Sequence, residues 1–348
     1  MMFKACVIGA SGYTGAELAK LIEDHPHFEL AGLFVSPASQ EAHKPISALH
    51  PWLQSYVDHT LVPISDEKLI ELAESMDAIF LATPHEASHD WGAMLVNAKA
   101  KVFDLSGAFR LKDNKIFEQF YGFKHAHATL LNEAVYGLAE WYADDIATAK
   151  FVAVPGCYPT ASLLALKPLA QAGLIDKQVL PIINAVSGVS GAGRKAALSN
   201  SFCEVSLQAY GVLGHRHQPE ISQYLGDKVI FTPHLGDFKR GILATTTVKL
   251  VEKTSQNQID EAYQSAYSKS PLIRLMKQFP KLDDVVRTPF CDLAWKYDPE
   301  SGYVVIGSAI DNLLKGAASQ AIQCANLAFN LESHTSLAKP TSIEGAKP

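Results

Sequence analysis

Short apolar runs separated by helix-length stretches open the chain. Lys4–Ile8, Phe28–Val35, Ala78–Ala82, Lys101–Leu105 and Phe151–Val154 read as strands. Between them, Ala16–Ile22 and Asp66–Ser75 carry apolar positions at helical spacing. Strands alternating with helices predict right-handed βαβ units and a parallel sheet. The pattern changes after Cys157. Thr160–Ala172 predicts one helix ending at Gly173, and the later strand candidates are longer and richer in β-branched residues: Val179–Val186, Leu243–Val251 and Tyr303–Ile310. With a helix at Gln258–Ser268, they predict an α+β unit with a mixed sheet. Asp311–Leu331 predicts a late helix capped by Asp311 or Asn312. Residues 332–348 are polar and contain prolines, which predicts a flexible tail.

A length of 348 residues suits two domains. The net charge of −6 supplies no basic field, so no nucleic-acid partner is expected. No apolar run approaches the ~18 residues of a spanning helix, so no membrane partner is expected either. The opening Met1–Ala10 stretch is too short for a secretory h-region and reads as the first strand. Five scattered cysteines form no C-x-x-C pair, which suggests neither a disulfide framework nor a zinc cluster; cytoplasmic conditions are the expected setting.

Gly9-Ala10-Ser11-Gly12-Tyr13-Thr14-Gly15 follows the first strand and opens a helix. Glycines there let backbone approach a pyrophosphate, and the free N–H groups of a helix N-terminus favour the anion. A tight strand-to-helix turn without a ligand is the plainer alternative. The expected fold class is therefore α/β: a Rossmann-like dinucleotide-binding domain with a parallel sheet, plus an α+β domain with a mixed sheet. The second strand ends in Val35-Ser36-Pro37-Ala38-Ser39, with no carboxylate for a ribose 2′-OH. Ser36 and Ser39 can donate to a 2′-phosphate, so NADP(H) is preferred over NAD. Thr83, Pro84 and Ser106 follow the third and fourth strands and are candidates to line the cofactor. His85 reads as a loop histidine. Arg110, just beyond a strand end, is either a carboxylate or phosphate clamp or a surface ion pair.

Val154-Pro155-Gly156-Cys157-Tyr158-Pro159-Thr160 ends a strand, turns, and places Cys157 just before a helix. A thiol at a helix N-terminus is expected to have a lowered pKa, which makes Cys157 the candidate nucleophile over the inert, buried alternative. Cys6 and Cys324 fit that alternative. His215-Arg216-His217-Gln218-Pro219 offers a base: Pro219 marks a helix start, whose positive end would keep His217 neutral. No third ligand stands at metal-site spacing, so no metal is expected. The loop Ser187-Gly188-Val189-Ser190-Gly191-Ala192-Gly193-Arg194-Lys195 can hold a phosphate or cradle a nicotinamide, or serve only as a flexible connector.

Together these stretches resemble the N-acetyl-γ-glutamyl-phosphate reductase family of the semialdehyde dehydrogenase superfamily. The resemblance covers nearly the whole chain and is strongest at Val152–Ala161, with Ala165-Leu166 and Pro168 following. The Gly9–Gly15 turn, Ser106–Arg110, Gly188–Lys195, His215–Ile221 and Asp311–Ala318 also match, without departure. It implies that Asp311–Leu331 returns to the first domain, giving 1–156 with 311–331 as the NADP-binding domain and 157–310 as the catalytic, substrate and oligomerisation domain. It further implies Asn312 near the nicotinamide carboxamide. The implied reaction runs through a Cys157 thioester of N-acetyl-glutamyl 5-phosphate, reduced to the 5-semialdehyde, with His217 as acid/base. Arg110 is then a candidate for the substrate carboxylate, and Arg194, Lys195 and Arg216 for the leaving phosphate. A homodimer or homotetramer through the second domain's sheet is implied as well. Aspartate-semialdehyde dehydrogenase is the nearest rival, but that family usually has Asn where this chain has Gly156; the glyceraldehyde-phosphate relatives carry a Ser-Cys-Thr that is absent here. A reductase acting on a carrier-bound substrate, a non-catalytic NADP sensor and a thiol hydrolase are the remaining alternatives.

Overall fold

Apolar strands flanked by helices on both faces build the first half of the chain. The computed structural model describes residues 2–338. Strands β1 (Phe3–Ile8), β2 (Phe28–Val35), β3 (Leu61–Pro63), β4 (Ala78–Leu81), β5 (Lys101–Asp104), β6 (Val135–Tyr136) and β7 (Phe151–Ala153) form one sheet in the order β3-β2-β1-β4-β5-β7-β6. Every pairing is parallel. Ala5, Cys6, Val7 and Ile8 of the interior strand β1 are fully buried, as expected where helices cover both faces. The helix Tyr13–Glu23 buries Ala16, Leu18, Ala19 and Ile22 against the sheet. Asp66–Ser75 is a helix started by Ser65, whose hydroxyl accepts from the Lys68 N–H. The edge strands β3 and β6 are too short to leave a periodic signal.

The second half forms a mixed sheet from β8 (Ile182–Gly188), β9 (Gln208–Ala209), β10 (Ile230–Gly236), β11 (Ile242–Lys249), β12 (Ile273–Leu275), β13 (Cys291–Asp298) and β14 (Tyr303–Ile310). Its order is β12-β13-β14-β11-β8-β10-β9. The expected strand at Val179–Val186 starts three residues later, because Pro181 has no N–H to give and uses only its carbonyl, which accepts from Ile230. Helices Cys157–Gln171 and Gln256–Tyr267 pack on one face of this sheet. The hydroxyls of Tyr263 and Tyr267 donate to the carbonyls of Ala165 and Leu164, which fixes the helix that begins at Cys157.

The late helix is not one continuous element. Asp311 accepts from the Leu313 and Leu314 N–H groups, Leu314–Ala318 is π-helical, and an α-helix runs only over Ser319–Ala328. Gly316 lies in this widened turn and admits close approach to Cys157: a Cβ on it would stand 2.8 Å from the Cys157 Cβ. Lys315, fully buried, is held by Glu140, Gln320 and Gln323. Leu314, Ala318, Ile322 and Ala325 join the first core, so this segment packs with the parallel sheet. Residues 332–338, expected as tail, form turns: Asn326 donates to the carbonyls of Ser333 and Thr335, and Leu337 packs on the core. The remainder of the expected tail, 339–348, lies outside the described residues.

Candidate active site

The glycine turn is shaped by contacts on one side and by space on the other. Gly9 has φ +89°, and a Cβ there would fall 2.3 Å from the Ala82 carbonyl oxygen. A Cβ on Gly15 would lie 2.5 Å from the Gly9 oxygen. Gly12 differs: its missing Cβ would meet only the Gly9 oxygen, at 3.6 Å, and it lines an open cleft. The helix Tyr13–Glu23 has no side-chain cap and no acidic residue in its first turn, so its N-terminal donors and positive end face that cleft unopposed. This arrangement fits the pyrophosphate of a dinucleotide. The Ser11 carbonyl lies to the side, where Arg194 donates to it at 3.0 Å and His50 contacts it at 3.1 Å. Ser36 is exposed at the end of β2, and its carbonyl accepts from Ser39.

Two further helices begin at the same cleft. Cys157 is the first residue of its helix rather than the residue before it, with Gly156 as N-cap. Pro159 falls in the first turn, where no N–H is required. His217 is likewise the first residue of helix His217–Leu225. A Cβ on Gly156 would stand 2.5 Å from His217 Nε2 and 3.0 Å from Arg110 Nη1. Glycine at this position is thus what lets the imidazole and the guanidinium close on the Cys157 turn.

Electrostatics separate these groups. Burial holds His217 well below the ordinary imidazole range, reinforced by His215, Arg216, Arg110 and His85, so it is neutral at pH 7. The lowered thiol expected for Cys157 is not what the surroundings produce. Burial pushes it up, and Glu220 adds to the rise; the Tyr158 N–H, Arg110 and Arg216 pull it down without cancelling it. Cys6 and Cys291 are pushed up to about 12 by burial, and Cys203 is exposed.

Arg110 is no surface ion pair. It is 5% exposed, with Nε donating to Val154 O and Nη2 to Leu105 O, both at 2.7 Å. Its Nη1 lies 3.5 Å from Glu220 Oε2. His85 is not a loop residue: it begins a helix, lines the cleft and accepts the Gly107 N–H through Nδ1. Burial, with Arg216 and Arg110, lowers its pKa to about 3.

The cleft on the glycine-turn side, about 280 Å³, brings together Gly12, Tyr13, Thr14, Gly15, Arg110, Cys157, Gly191, Arg194, Arg216, His217 and Asn312. A second chamber of about 300 Å³ shares Cys157, Gly191, Arg216 and His217. It adds Ser187, Gly188, Gln208, Tyr210 and His215. Asn312 is buried, accepting from the Gly241 N–H and donating to Ser190. Other expected site residues stand elsewhere. The Ser106 hydroxyl is spent inside its own turn, donating to Asp104 and accepting from Ala108, and does not line either chamber. The Thr83 hydroxyl pairs with Ser88, and Pro84 caps the helix His85–Leu95. Lys195 lines an adjoining opening of about 810 Å³ beside Arg240 and Arg287, which shares Tyr13 and Arg194 with the first cleft.

Three features escaped the sequence reading. Glu220 is fully buried, and its Oε1 accepts from Gly156 N and Tyr136 OH. Its place three residues after His217, on the same helix face, was the available signal. Tyr210 donates to Tyr158, whose hydroxyl donates to His234 O. Arg240 ties Glu17 on the glycine-turn helix to Asp311.

Comparison with known proteins agrees with this arrangement. Residues 4–149 match a family described as semialdehyde dehydrogenase, NAD binding domain, and residues 157–312 one described as semialdehyde dehydrogenase, dimerisation domain. An N-acetyl-gamma-glutamyl-phosphate reductase of Pseudoalteromonas atlantica is 62% identical, over 98% of this chain and 100% of the relative. One of Pasteurella multocida is 56% identical, over 95% of this chain and 98% of the relative. Among solved structures, aspartate semialdehyde dehydrogenase II of Vibrio cholerae shares the fold with a TM-score of 0.71 at 16% identity, covering 95% of this chain and 99% of that one. A dinucleotide turn, a helix-borne cysteine and a neutral imidazole converging on one cleft, matched over both halves of the chain, place it in the semialdehyde dehydrogenase family, among the N-acetyl-gamma-glutamyl-phosphate reductases.

Proposed function

We propose that the chain reduces N-acetyl-γ-glutamyl 5-phosphate to N-acetyl-glutamate 5-semialdehyde in arginine biosynthesis, releasing phosphate and using NADPH. The observation that carries this reading is the convergence of Cys157 and His217, each the first residue of a helix, on the cleft lined by the glycine turn. Neutral His217 takes the thiol proton as sulfur attacks the acyl-phosphate carbon, and the C–O bond to phosphate breaks to leave a thioester on Cys157. N–H groups at the start of the Cys157 helix face the developing oxyanion. A bound nicotinamide dinucleotide supplies hydride to the thioester carbon. His217 then returns the proton, and collapse of the thiohemiacetal frees the aldehyde and the thiol.

The two chambers divide the ligands. The Gly12–Gly15 turn and Asn312 hold the dinucleotide on one side. Tyr210, His215 and Gln208 surround the acyl tail on the other. Arg216 is exposed and lines both chambers, which suits the departing phosphate; Arg194 reaches the first. Arg110 offers Nη1 to a substrate carboxylate. NADPH is favoured because the β2 end carries Ser36 and no carboxylate. All five cysteines are unpaired, in keeping with a reducing cytoplasm. The match to a dimerisation domain supports a homodimer or homotetramer.

The test is phosphate-dependent, NADP-dependent oxidation of N-acetyl-glutamate 5-semialdehyde, run beside aspartate semialdehyde. Turnover of the acetylated substrate alone is expected. Preference for aspartate semialdehyde, or oxidation indifferent to phosphate, rejects the reading.

A further inference from the structure

A fully buried carboxylate stands directly behind the nucleophile, and nothing in the reaction as derived uses it. Glu220 Oε1 accepts from the Gly156 N–H at 2.9 Å and from Tyr136 OH at 2.8 Å. Its Oε2 lies 3.5 Å from Arg110 Nη1 and has no hydrogen-bond partner among the described residues. Arg110 in turn donates to Val154 O, one residue before Pro155. The carboxylate and the guanidinium therefore grip the Val154–Gly156 turn from both ends, and Glu220 shares a helix with His217. A carboxylate so placed has a cost, since burial penalises its charge. A structural anchor for one N–H needs only a neutral acceptor.

We propose that Glu220 is a positioning residue that locks the Cys157 turn, Arg110 and the His217 helix into one unit and places a negative charge behind the thiol. The titratable and charged groups that line the two chambers with Cys157 are Tyr13, His85, Arg110, Arg194, Arg216 and His217 on the first side, with Tyr158, Tyr210 and His215 on the second. Three of these are cations, and Glu220 is the carboxylate that acts against them at the thiol. Burial works against the Arg110 charge, yet Glu220 leads the interactions that keep it raised. The same carboxylate disfavours the thiolate. This assignment rests on Cys157 being the nucleophile.

Glu220→Gln tests it, because the amide keeps shape and an acceptor but removes the charge. The pH dependence of iodoacetamide alkylation of Cys157 is read by peptide mass, without substrate. Loss of the nearby anion is expected to move its midpoint down by about one pH unit. Turnover should fall about tenfold to a hundredfold, with the KM for NADPH unchanged, since the turn is no longer held. Glu220→Asp, charged but shorter, should keep the midpoint near wild type while losing turnover. A midpoint that stays or rises in Glu220→Gln overturns the proposal, as does turnover within twofold of wild type. If Glu220→Gln does not fold, Tyr136→Phe decides, because it removes one donor to the same oxygen and leaves the charge. A several-fold fall in turnover at unchanged NADPH affinity supports the proposal, and unchanged turnover overturns it. Alkylation needs no substrate, so failure of Glu220 is distinguishable from failure of the proposed reaction, which the wild-type substrate assay alone decides.

Discussion

Two helix N-termini face the cleft with nearly the same backbone and opposite surroundings. Gly12 caps one at φ −74°, ψ 166°, and Gly156 caps the other at φ −67°, ψ 157°. Neither has a side-chain cap. At Gly12 a Cβ would meet only backbone at 3.6 Å; at Gly156 it would strike His217 and Arg110. One terminus is left open, so its donors can serve a diffusing anion. The other is walled by ionisable side chains and starts with Cys157, so no diffusing anion has the same open access to it. The local conformation is shared, and the side chains that other elements bring to each terminus make the difference.

The largest effect should come from removing the nucleophile. Cys157→Ser is expected to abolish turnover while NADPH binding, followed by fluorescence titration, stays intact, because the hydroxyl lacks a base strong enough to ionise it. An acyl adduct found on another cysteine by peptide mass would break the contrast between the two termini. Next comes His217→Asn, expected to lower turnover about 10²–10⁴-fold, again without weakening NADPH. The imidazole's pKa is lowered, so its neutral form persists as pH falls. The kcat/KM profile should therefore show no loss between about pH 7 and 6 from this group, whose ordinary value lies near 6.5. The same sign applies to stability: the neutral buried ring contributes fully above its unfolded value, and that contribution is lost on acidification below it.

Alanine at the two capping glycines sharpens the comparison directly. Gly156→Ala should cut turnover about a hundredfold by forcing His217 and Arg110 away from the turn. Gly12→Ala has room for its methyl, so the fold should survive and NADPH should bind about tenfold more weakly, the worth of one obstructed hydrogen bond. Calorimetry beside steady-state kinetics separates the two outcomes. Equal kinetic behaviour would mean that the termini are not specialised. The smallest effect is expected at Ser36→Asp, where a carboxylate beside the 2′-phosphate should shift preference toward NADH about threefold to tenfold. Competitive titration of the two dinucleotides measures it.

Much of this was legible in the order of residues. Five strands of the parallel sheet announced themselves as apolar runs because both sheet faces are covered. The glycine turn and the Cys157 stretch combine breakers with chemistry at fixed spacing, which survives in any one-dimensional reading. β10 did not announce itself, because Pro233 and His234 interrupt its alternation. The break in the late helix leaves no local signal: the widened turn at Leu314–Ala318 packs against Cys157, more than 150 residues away in sequence.

Local chemistry alone determined that a glycine-rich turn opens a helix, that helices begin close to Cys157 and His217, and that no carboxylate follows β2. Those features depend on neighbours within a few residues. Only the tertiary structure decided that the Cys157 thiol is raised rather than lowered, that the Ser106 hydroxyl is spent in its own turn, that Lys195 lines the adjoining opening rather than the cleft with Cys157, and that Glu220 stands behind the Cys157 turn. Burial and Coulomb interactions act through space, and the groups that set them come from helices, strands and loops whose separation along the chain carries no record of their contact.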